Sequence, residues 1–476
     1  MTKAIHFGTA GWRAILAQDF TYDNVRIVAR AIADHLRAEK LHHKQIVVGY
    51  DTRFMSEEFA RTVSEILAAG GTQVLLCNKY SPTPAIANEI LHRKTVGSVN
   101  ITASHNPWDY SGIKFSSAYG GPALPEVTRA IEERCLFYLS DAKPIARMPI
   151  HEARQKKLVV DFDPAPNYFK LIEKLIDFDA LKKAKPSIVC DLLYGTAIDY
   201  LDKLLIDSKC KVTVLHNWRD VYFGRRSPEP SIENLDLLMA TMKKEKADLG
   251  LATDGDADRF GIVDSDGSFI TPNEILPLLL DHLVRTRKWT GVVARSVMTS
   301  HFLDAVARQH SIEVRETPVG FKYIAEVMLK EHFVMGGEES GGLTIKGHLP
   351  EKDGILACLL MAEVRAIAKK PLRQALNDLN KQVGFFYTDR FNTHLPQEKV
   401  KQIIDKLTTQ PPTSFGTVSI KRIVDMDGFK FILKDGSWIG VRGSGTEPVL
   451  RLYVESDTQK KAQTLLEFGK KYILGK

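Results

Sequence analysis

Ser104 stands in the loop Thr-Ala-Ser-His-Asn-Pro, residues 102–107, with His105 beside it and Lys114 further on in Gly-Ile-Lys-Phe. A hydrolase serine would sit in a G-x-S-x-G elbow. Here Ala103 and His105 flank it, and Pro107 stops a helix from continuing. The hydroxyl is therefore placed for other chemistry. A second stretch, Asp-Gly-Asp-Ala-Asp-Arg at 254–259, sets Asp254, Asp256 and Asp258 at alternate positions. Alternate side chains of an extended segment share a side. Three converging carboxylates repel one another unless a cation lies among them, and oxygen ligands with open positions suit Mg2+. An EF-hand wants glycine and glutamate at loop positions that here hold Arg259 and Ser265, so that reading fails.

Two more loops add phosphate and sugar chemistry. Arg-Gly-Ser-Gly-Thr-Glu-Pro at 442–448 has glycines that let backbone N–H groups turn toward an anion. Arg442 can fork onto phosphate oxygens, and Ser444 and Thr446 add hydroxyl donors. No lysine follows its second glycine, which excludes a Walker loop. Glu338, Glu339 and Ser340 lie among glycines at 336–342, a carboxylate and hydroxyl pairing suited to adjacent sugar hydroxyls. Arg13 follows a glycine turn, and His105 and His348 stand beside these loops. Each stretch alone also fits a solvated turn or a surface side chain. Together they point to phosphoryl transfer, with a phosphate on Ser104, Mg2+ among the aspartates, and Arg13, Lys114 and Arg259 balancing charge. The 442–448 loop would hold a distal phosphate of the same small substrate.

Something must hold these loops in place, and an internal repeat supplies it. Residues 45–78, 187–217 and 291–320 each read as strand, loop, amphipathic helix, strand. Each is followed by a helix pattern and a third apolar strand, at 96–102, 247–253 and 332–337. Directly after those third strands come the Ser104 loop, the aspartate loop and the Glu338 loop. Ligands collect at strand ends in open α/β sheets. The fourth segment, 429–457, alternates apolar and polar residues around an Asp435-Gly436 turn, with a helix pattern from 458, the signature of an antiparallel α+β unit. The expected domains are 1–150, 160–265, 266–382 and 390–476.

Composition narrows the class. The 476 residues suggest three or four domains. The net charge of +7 fits an anionic ligand, but the basic clusters are short and scattered, which argues against nucleic acid. The longest clean apolar run, 355–362, is too short to cross a membrane, and the first residues carry no signal-peptide core. Five widely spaced cysteines fit free thiols in a reducing compartment, so a cytoplasmic location is expected. Nothing in the sequence fixes an oligomeric state.

Nearly the whole chain resembles the α-D-phosphohexomutases, most of all the phosphoglucomutases. The resemblance rests on four motifs in the family's order: TASHNP, DGDADR, GEESGG and RGSGTEP. It implies three related mixed-sheet α/β domains and a C-terminal α+β domain like the TATA-binding protein, around a central cleft. It implies Ser104 as phosphoserine and as a metal ligand with Asp254, Asp256 and Asp258, and Arg13, His105 and Lys114 as active-site groups. Glu338 and Ser340 map to sugar contacts; Arg259, for its charge, and His348, for its place beside the loops, are expected as further substrate-binding groups. Arg442, Ser444, Gly445 and Thr446 map to phosphate contacts. VARSVMTS (293–300) and TPVGFKYI (317–324) resemble phosphoglucomutases and nominate Arg295 and Lys322. GEESGG differs from the GEQSGH of phosphoglucosamine mutases and, through Gly341-Gly342, from many phosphoglucomutases, which leaves mannose phosphate open.

The expected activity interconverts hexose 1-phosphate and hexose 6-phosphate, glucose first, with mannose or dual specificity as the alternative. Mg2+ would be the cofactor and hexose 1,6-bisphosphate the intermediate and activator. Lys114 is the expected proton-transfer group, with His105 assisting. A metal-dependent sugar phosphatase would use the same serine and aspartates but admit water. A non-catalytic sugar-phosphate sensor would not need Ser104, Lys114 and three aspartates together.

Overall fold

The structure, a computed structural model, describes residues 5–8, 11–140, 144–443 and 449–474. The chain forms two compact units, Met1–Ile270 with Gly341–Leu372, and Thr271–Ser340 with Arg373–Lys476.

The first unit holds two sheets. One is built from β1 (Trp12–Ile15), β2 (Gln45–Tyr50), β3 (Gln73–Cys77), β4 (Gly97–Ile101), β5 (Tyr110–Ser117) and β6 (Val159–Phe162), in the order β1-β5-β4-β2-β3-β6. The strands from β4 to β6 across this order are parallel, and β5 and β1 add antiparallel pairs. The expected second domain began at residue 160, but β6 pairs with β3 and completes the first sheet. The other sheet contains β7 (Ser187–Asp191), β8 (Lys211–Leu215), β9 (Leu249–Thr253), β10 (Phe260–Asp264) and β11 (Phe269–Ile270), in the order β11-β10-β9-β7-β8. Parallel strands β7–β9 meet an antiparallel edge at β10 and β11. Every residue of β4 and β9 is buried, as expected of central strands covered on both faces.

The stretch 341–372, part of the expected third domain, packs with the first unit. Its helix Gly354–Ala368 lies on β9 and β10. Asp353 caps that helix by accepting from the Leu356 N–H. Gly354 donates its N–H to the Ala257 carbonyl at 3.0 Å. A Cβ on Gly354 would stand 2.1 Å from the Arg259 carbonyl oxygen, so only glycine lets the helix start this close to the aspartate loop.

The second unit carries the third repeat, β12 (Val292–Ser296), β13 (Glu313–Thr317) and β14 (Phe333–Gly337), with β12 parallel to both neighbours. The short strand Leu343–Ile345 (β15) follows in the first unit. The C-terminal sheet runs β16 (Tyr387–His394), β17 (Ser414–Phe415), β18 (Val418–Val424), β19 (Phe429–Leu433), β20 (Trp438–Gly443) and β21 (Val449–Ser456) in the order β16-β21-β20-β19-β18-β17, antiparallel throughout. Alternation divides its faces. Ile439, Val441, Leu452 and Val454 pack with the helices Gln397–Thr409 and Gln459–Leu474, while Trp438 and Tyr453 pack with Val297 and Met298.

Candidate active site

The first unit brings Ser104, His105, Lys114, Arg13 and the three aspartates to one place. Ser104 follows β4 and has φ +52°, the left-handed region that a non-glycine residue seldom enters. Its N–H donates to Thr102 Oγ1 at 2.9 Å, and its hydroxyl donates to Asp254 Oδ2 at 2.7 Å. His105 and Asn106 are half-buried and Trp108 is open, but Ser104 itself is buried, because the aspartate loop lies against it. A Cβ on Gly255 would sit 2.7 Å from the Ser104 carbonyl oxygen, which explains a glycine between two aspartates.

Asp254, Asp256 and Asp258 are buried, and one oxygen from each lies within 4.8 Å of the others. Asp254 Oδ1 accepts the N–H groups of Asp258 and Arg259, both at 2.9 Å, which turns the loop inward; Ala257 adopts φ +59° within it. Asp256 Oδ2 accepts from Thr83 Oγ1 at 2.6 Å and from Lys114 Nζ. Asp258 Oδ2 accepts from Lys114 Nζ at 2.8 Å and from Lys352 Nζ at 2.7 Å. The second oxygens of Asp256 and Asp258 are buried without any hydrogen-bond partner. Buried carboxylate oxygens left unpaired are costly. Their hardness and convergence fit Mg2+, so the triplet passes the test its spacing posed.

The charges of this centre shift one another. Burial, Asp256 and Asp258 push the Asp254 carboxyl well up. Burial would do the same to Asp258, but Lys114, Lys352 and Arg259 outweigh it and hold that carboxyl well below its usual range. Burial opposes the Lys114 ammonium, yet Asp256 and Asp258 overcome it and raise the amine. As placed, Lys114 is held as a cation between Asp256 and Asp258. His105 lies the other way: burial, then Arg259 and Arg13, push its imidazole well down, and its Nδ1 is 3.4 Å from Ser104 Oγ. Arg13 donates to Asn106 Oδ1 at 2.6 Å, and Arg259 pairs with Glu229 at 3.4 Å.

Three residues here escaped the sequence reading. Lys352 bonds Asp258, and Glu351, buried beside it, has its carboxyl raised to about 7 by burial and then by Asp258 against the pull of Lys352 and Lys114. Lys114, Asp258, Glu351 and Lys352 line a small cleft with Phe7 and Gly11. Arg53, fully buried, bonds four loop carbonyls from residue 104 to residue 110. Lys352 and Glu351 lie some 100 residues from the motif they serve, so only the return of 341–372 reveals them. The Asp-Thr-Arg at the end of β2, in the place equivalent to other strand-end loops, was the available signal for Arg53. His348 was expected to bind substrate. Its side chain is fully buried, with Nε2 2.9 Å from Asp353, the helix-capping residue that Tyr168 also bonds.

The other expected residues belong to the second unit. Glu338 is buried at the end of β14 and accepts the Gly320 N–H at 2.8 Å; Ser340 is half-buried. Glu339 accepts from Ser296 Oγ at 2.8 Å. Lys322 opens the helix Phe321–Lys330, its ammonium 5.2 Å from the Tyr323 ring centre. Arg295, at the end of β12, was expected to touch substrate. It is instead buried and gripped by Asp304 through two bonds, at 2.6 and 2.8 Å, and by Glu316 at 2.7 Å. That makes it an internal brace. Arg442 donates to Asp427 at 3.0 Å, and Ser444, Gly445 and Thr446 lie outside the described residues.

Sequence and fold comparisons place the chain among known proteins. The chain matches models for the phosphoglucomutase/phosphomannomutase alpha/beta/alpha domains I, II and III over residues 4–137, 166–267 and 271–383, and for the C-terminal domain over 392–468. A phosphoglucomutase/phosphomannomutase of Thermococcus kodakarensis is 31% identical over 467 residues, 98% of each chain. A probable phosphoglucosamine mutase of Pyrococcus abyssi is 31% identical, covering 98% of this chain and 97% of that one. The crystal structure of a putative phosphomannomutase from Thermus thermophilus superposes over all of both chains with a TM-score of 0.85 at 31% identity. The chain belongs to the phosphoglucomutase/phosphomannomutase family, and it is an enzyme of the phosphohexomutase class. Its four-domain architecture, three mixed-sheet α/β domains and a C-terminal antiparallel sheet domain, is that of the family. No described helix is long and apolar enough to cross a membrane.

Proposed function

We propose that this enzyme interconverts glucose 1-phosphate and glucose 6-phosphate through phosphorylated Ser104 and glucose 1,6-bisphosphate. The observation that carries the reading is the Ser104 hydroxyl, held in a left-handed backbone 2.7 Å from one of three convergent buried aspartates. A free sugar hydroxyl attacks the phosphorus on Ser104, the P–Oγ bond breaks, and the hydroxyl proton ends on Ser104 Oγ. His105, close to Oγ and uncharged, is the group in reach to relay that proton. Lys114, Lys352 and Arg259 bring positive charge to the aspartates beside Ser104, where it would help balance the charge of the moving group. Mg2+ held by Asp254, Asp256 and Asp258 would add Lewis-acid stabilisation of the same charge. The bisphosphate then presents its other phosphate to Ser104, which takes it and leaves the isomerised monophosphate. Arg442 and its loop would hold the phosphate not in transfer, and Glu338 and Ser340 the sugar hydroxyls.

Relatives of similar identity carry the names of phosphoglucomutase/phosphomannomutase and phosphoglucosamine mutases, so the sugar is argued from this chain's own loop. The loop reads GEESGG rather than the GEQSGH of the glucosamine enzymes, and that motif difference favours glucose, while Gly341-Gly342 keeps mannose as the second reading. The test is turnover of glucose, mannose and glucosamine 1-phosphates, each primed with traces of its bisphosphate. Glucose phosphate should give the highest kcat/KM, and glucosamine phosphate turning over fastest would overturn the choice. Ser104→Ala should abolish turnover and lack the single phosphate that intact mass is expected to find on some wild-type molecules. Free phosphate released in step with substrate loss would mark a phosphatase.

A further inference from the structure

Arg53 uses every donor it has on one task. Its Nε donates to Asp51 Oδ2 at 3.1 Å. One terminal nitrogen donates to the carbonyls of Pro107 at 2.7 Å and Tyr110 at 3.1 Å, and the other to those of Ser104 and Asn106, both at 2.6 Å. A guanidinium has five N–H donors in a rigid plane, and all five are matched here. The side chain is fully buried, with the Phe223 ring 5.0 Å from its central carbon. Asp51 is itself fixed, its Oδ1 accepting the Arg53 N–H at 3.0 Å and the Ser56 hydroxyl at 2.7 Å. From the following domain, Arg219 donates to the carbonyls of Thr52 and Arg53, both at 3.0 Å, and pairs with Glu57.

The four carbonyls belong to the loop that turns between β4 and β5, and the first is that of Ser104 itself. A serine at φ +52° persists only where its surroundings over-determine the backbone. Its own side chain does not do this, since the hydroxyl points away to Asp254. The carbonyl of the same residue is what Arg53 grips.

We infer that Arg53 is the positioning residue of the transfer step: its guanidinium holds the 104–110 turn in the strained form that aims the Ser104 oxygen at the aspartate triplet. It touches neither substrate nor the reacting atoms, and acts through the backbone. Lysine in its place keeps the charge but offers three donors from a single point, which cannot span four carbonyls and Asp51 together. Loss of the turn shifts Oγ relative to the attacking hydroxyl, and a displacement near 1 Å costs about a hundredfold in rate.

The inference rests on the mutase reading, and the experiment separates the two. Wild type and Arg53→Lys are treated with glucose 1,6-bisphosphate in single-turnover mode, and phosphate on Ser104 is followed by intact mass. Hydrogen exchange is read at 102–110 in both. The variant should form phosphoserine about a hundredfold more slowly, with KM for glucose 1-phosphate within about threefold of wild type and faster amide exchange confined to the turn. A merely structural role would lower the melting temperature yet leave the rate on folded protein and the local exchange unchanged, and that result overturns the inference. Wild type that takes no phosphate on Ser104 would overturn the mutase reading, whereas unchanged exchange in Arg53→Lys removes the positioning role whatever the reaction is. If Arg53→Lys does not fold, Phe223→Leu removes the ring over the guanidinium without touching its hydrogen bonds. It should slow phosphoserine formation several-fold, and a wild-type rate there also overturns the assignment.

Discussion

Three buried aspartates in the absence of compensation would not coexist, yet here Lys114, Lys352 and Arg259 already bring three positive charges to them. The orphan oxygens of Asp256 and Asp258 show that these cations satisfy only part of the site. A phosphate on Ser104 changes the balance, since it adds between one and two negative charges at roughly the distance of a hydrogen bond from Asp254. The demand for a divalent cation should therefore rise on phosphorylation. Calorimetric titration should find Mg2+ bound more tightly by the Ser104-phosphorylated protein than by Ser104→Ala. Asp256→Asn, which removes one ligand charge, should weaken Mg2+ binding by at least about tenfold. Equal Mg2+ affinity in all three proteins would leave the triplet as an ion-pair node and nothing more. At this scale the sequence was readable where function sits in one contiguous motif. Ser104 and the aspartates are of that kind. Lys352 and Glu351 are not, because their neighbours are set by a chain reversal that no local pattern encodes.

The repeated element, strand then helix then strand, sets where each motif ends up. Strands β4, β9 and β14 all end in a loop that the sequence marks as a candidate site, and their positions follow from apolar runs that a buried parallel strand requires. The surroundings differ at β12. Arg295 also ends a strand, and the resemblance carried a substrate role to it, but the neighbouring helix Phe302–Gln309 supplies Asp304 and β13 supplies Glu316. Charge on adjacent elements decides whether a strand-end arginine faces a ligand or closes a buried network, and that partner choice is a tertiary fact. Arg295→Met should accordingly cost about 2–4 kcal/mol of stability by leaving two partly buried carboxylates unpaired, with the lower values favoured by their partial exposure. In the folded variant KM for the sugar phosphate should stay within about threefold. A tenfold rise in KM with an unchanged melting temperature would return Arg295 to the substrate.

On the scale of whole domains, the four-domain order was legible because three units share one pattern and the last one alternates. Where the chain leaves one unit and re-enters it was not. The stretch 341–372 carries helical periodicity that suits either neighbour, and its place on β9 and β10 is decided by close approach at Gly354. Within the second unit the third repeat and the C-terminal sheet meet through polar groups that the sequence did not flag. Glu455 accepts from Ser300, from the His301 N–H and from Trp438 Nε1, and Val319 donates its N–H to Asp427. Lys430 is the centre of this seam. Its fully buried ammonium donates to the Val297 carbonyl at 2.6 Å and lies 4.1 Å from the Trp438 ring centre, with Glu316 at 3.9 Å. Burial, then Arg295, bring the amine down to about 7 against the opposing pull of Glu316, Glu455 and Asp304. A lysine in the unfolded chain titrates near 10.4. Between those two values the unfolded state holds the extra proton, so stability gained from this residue rises with pH across the window and is flat below it. Lys430→Met abolishes that titration, and the carbonyl it leaves unpaired carries a cost that does not vary with pH. The stability of wild type relative to Lys430→Met should therefore climb by about 1 kcal/mol per pH unit from pH 7.5 to 9.5, read by denaturant unfolding at fixed ionic strength. Parallel pH profiles for the two proteins would show that Lys430 keeps its proton in the fold, and that Glu316 and Glu455 compensate its burial in full.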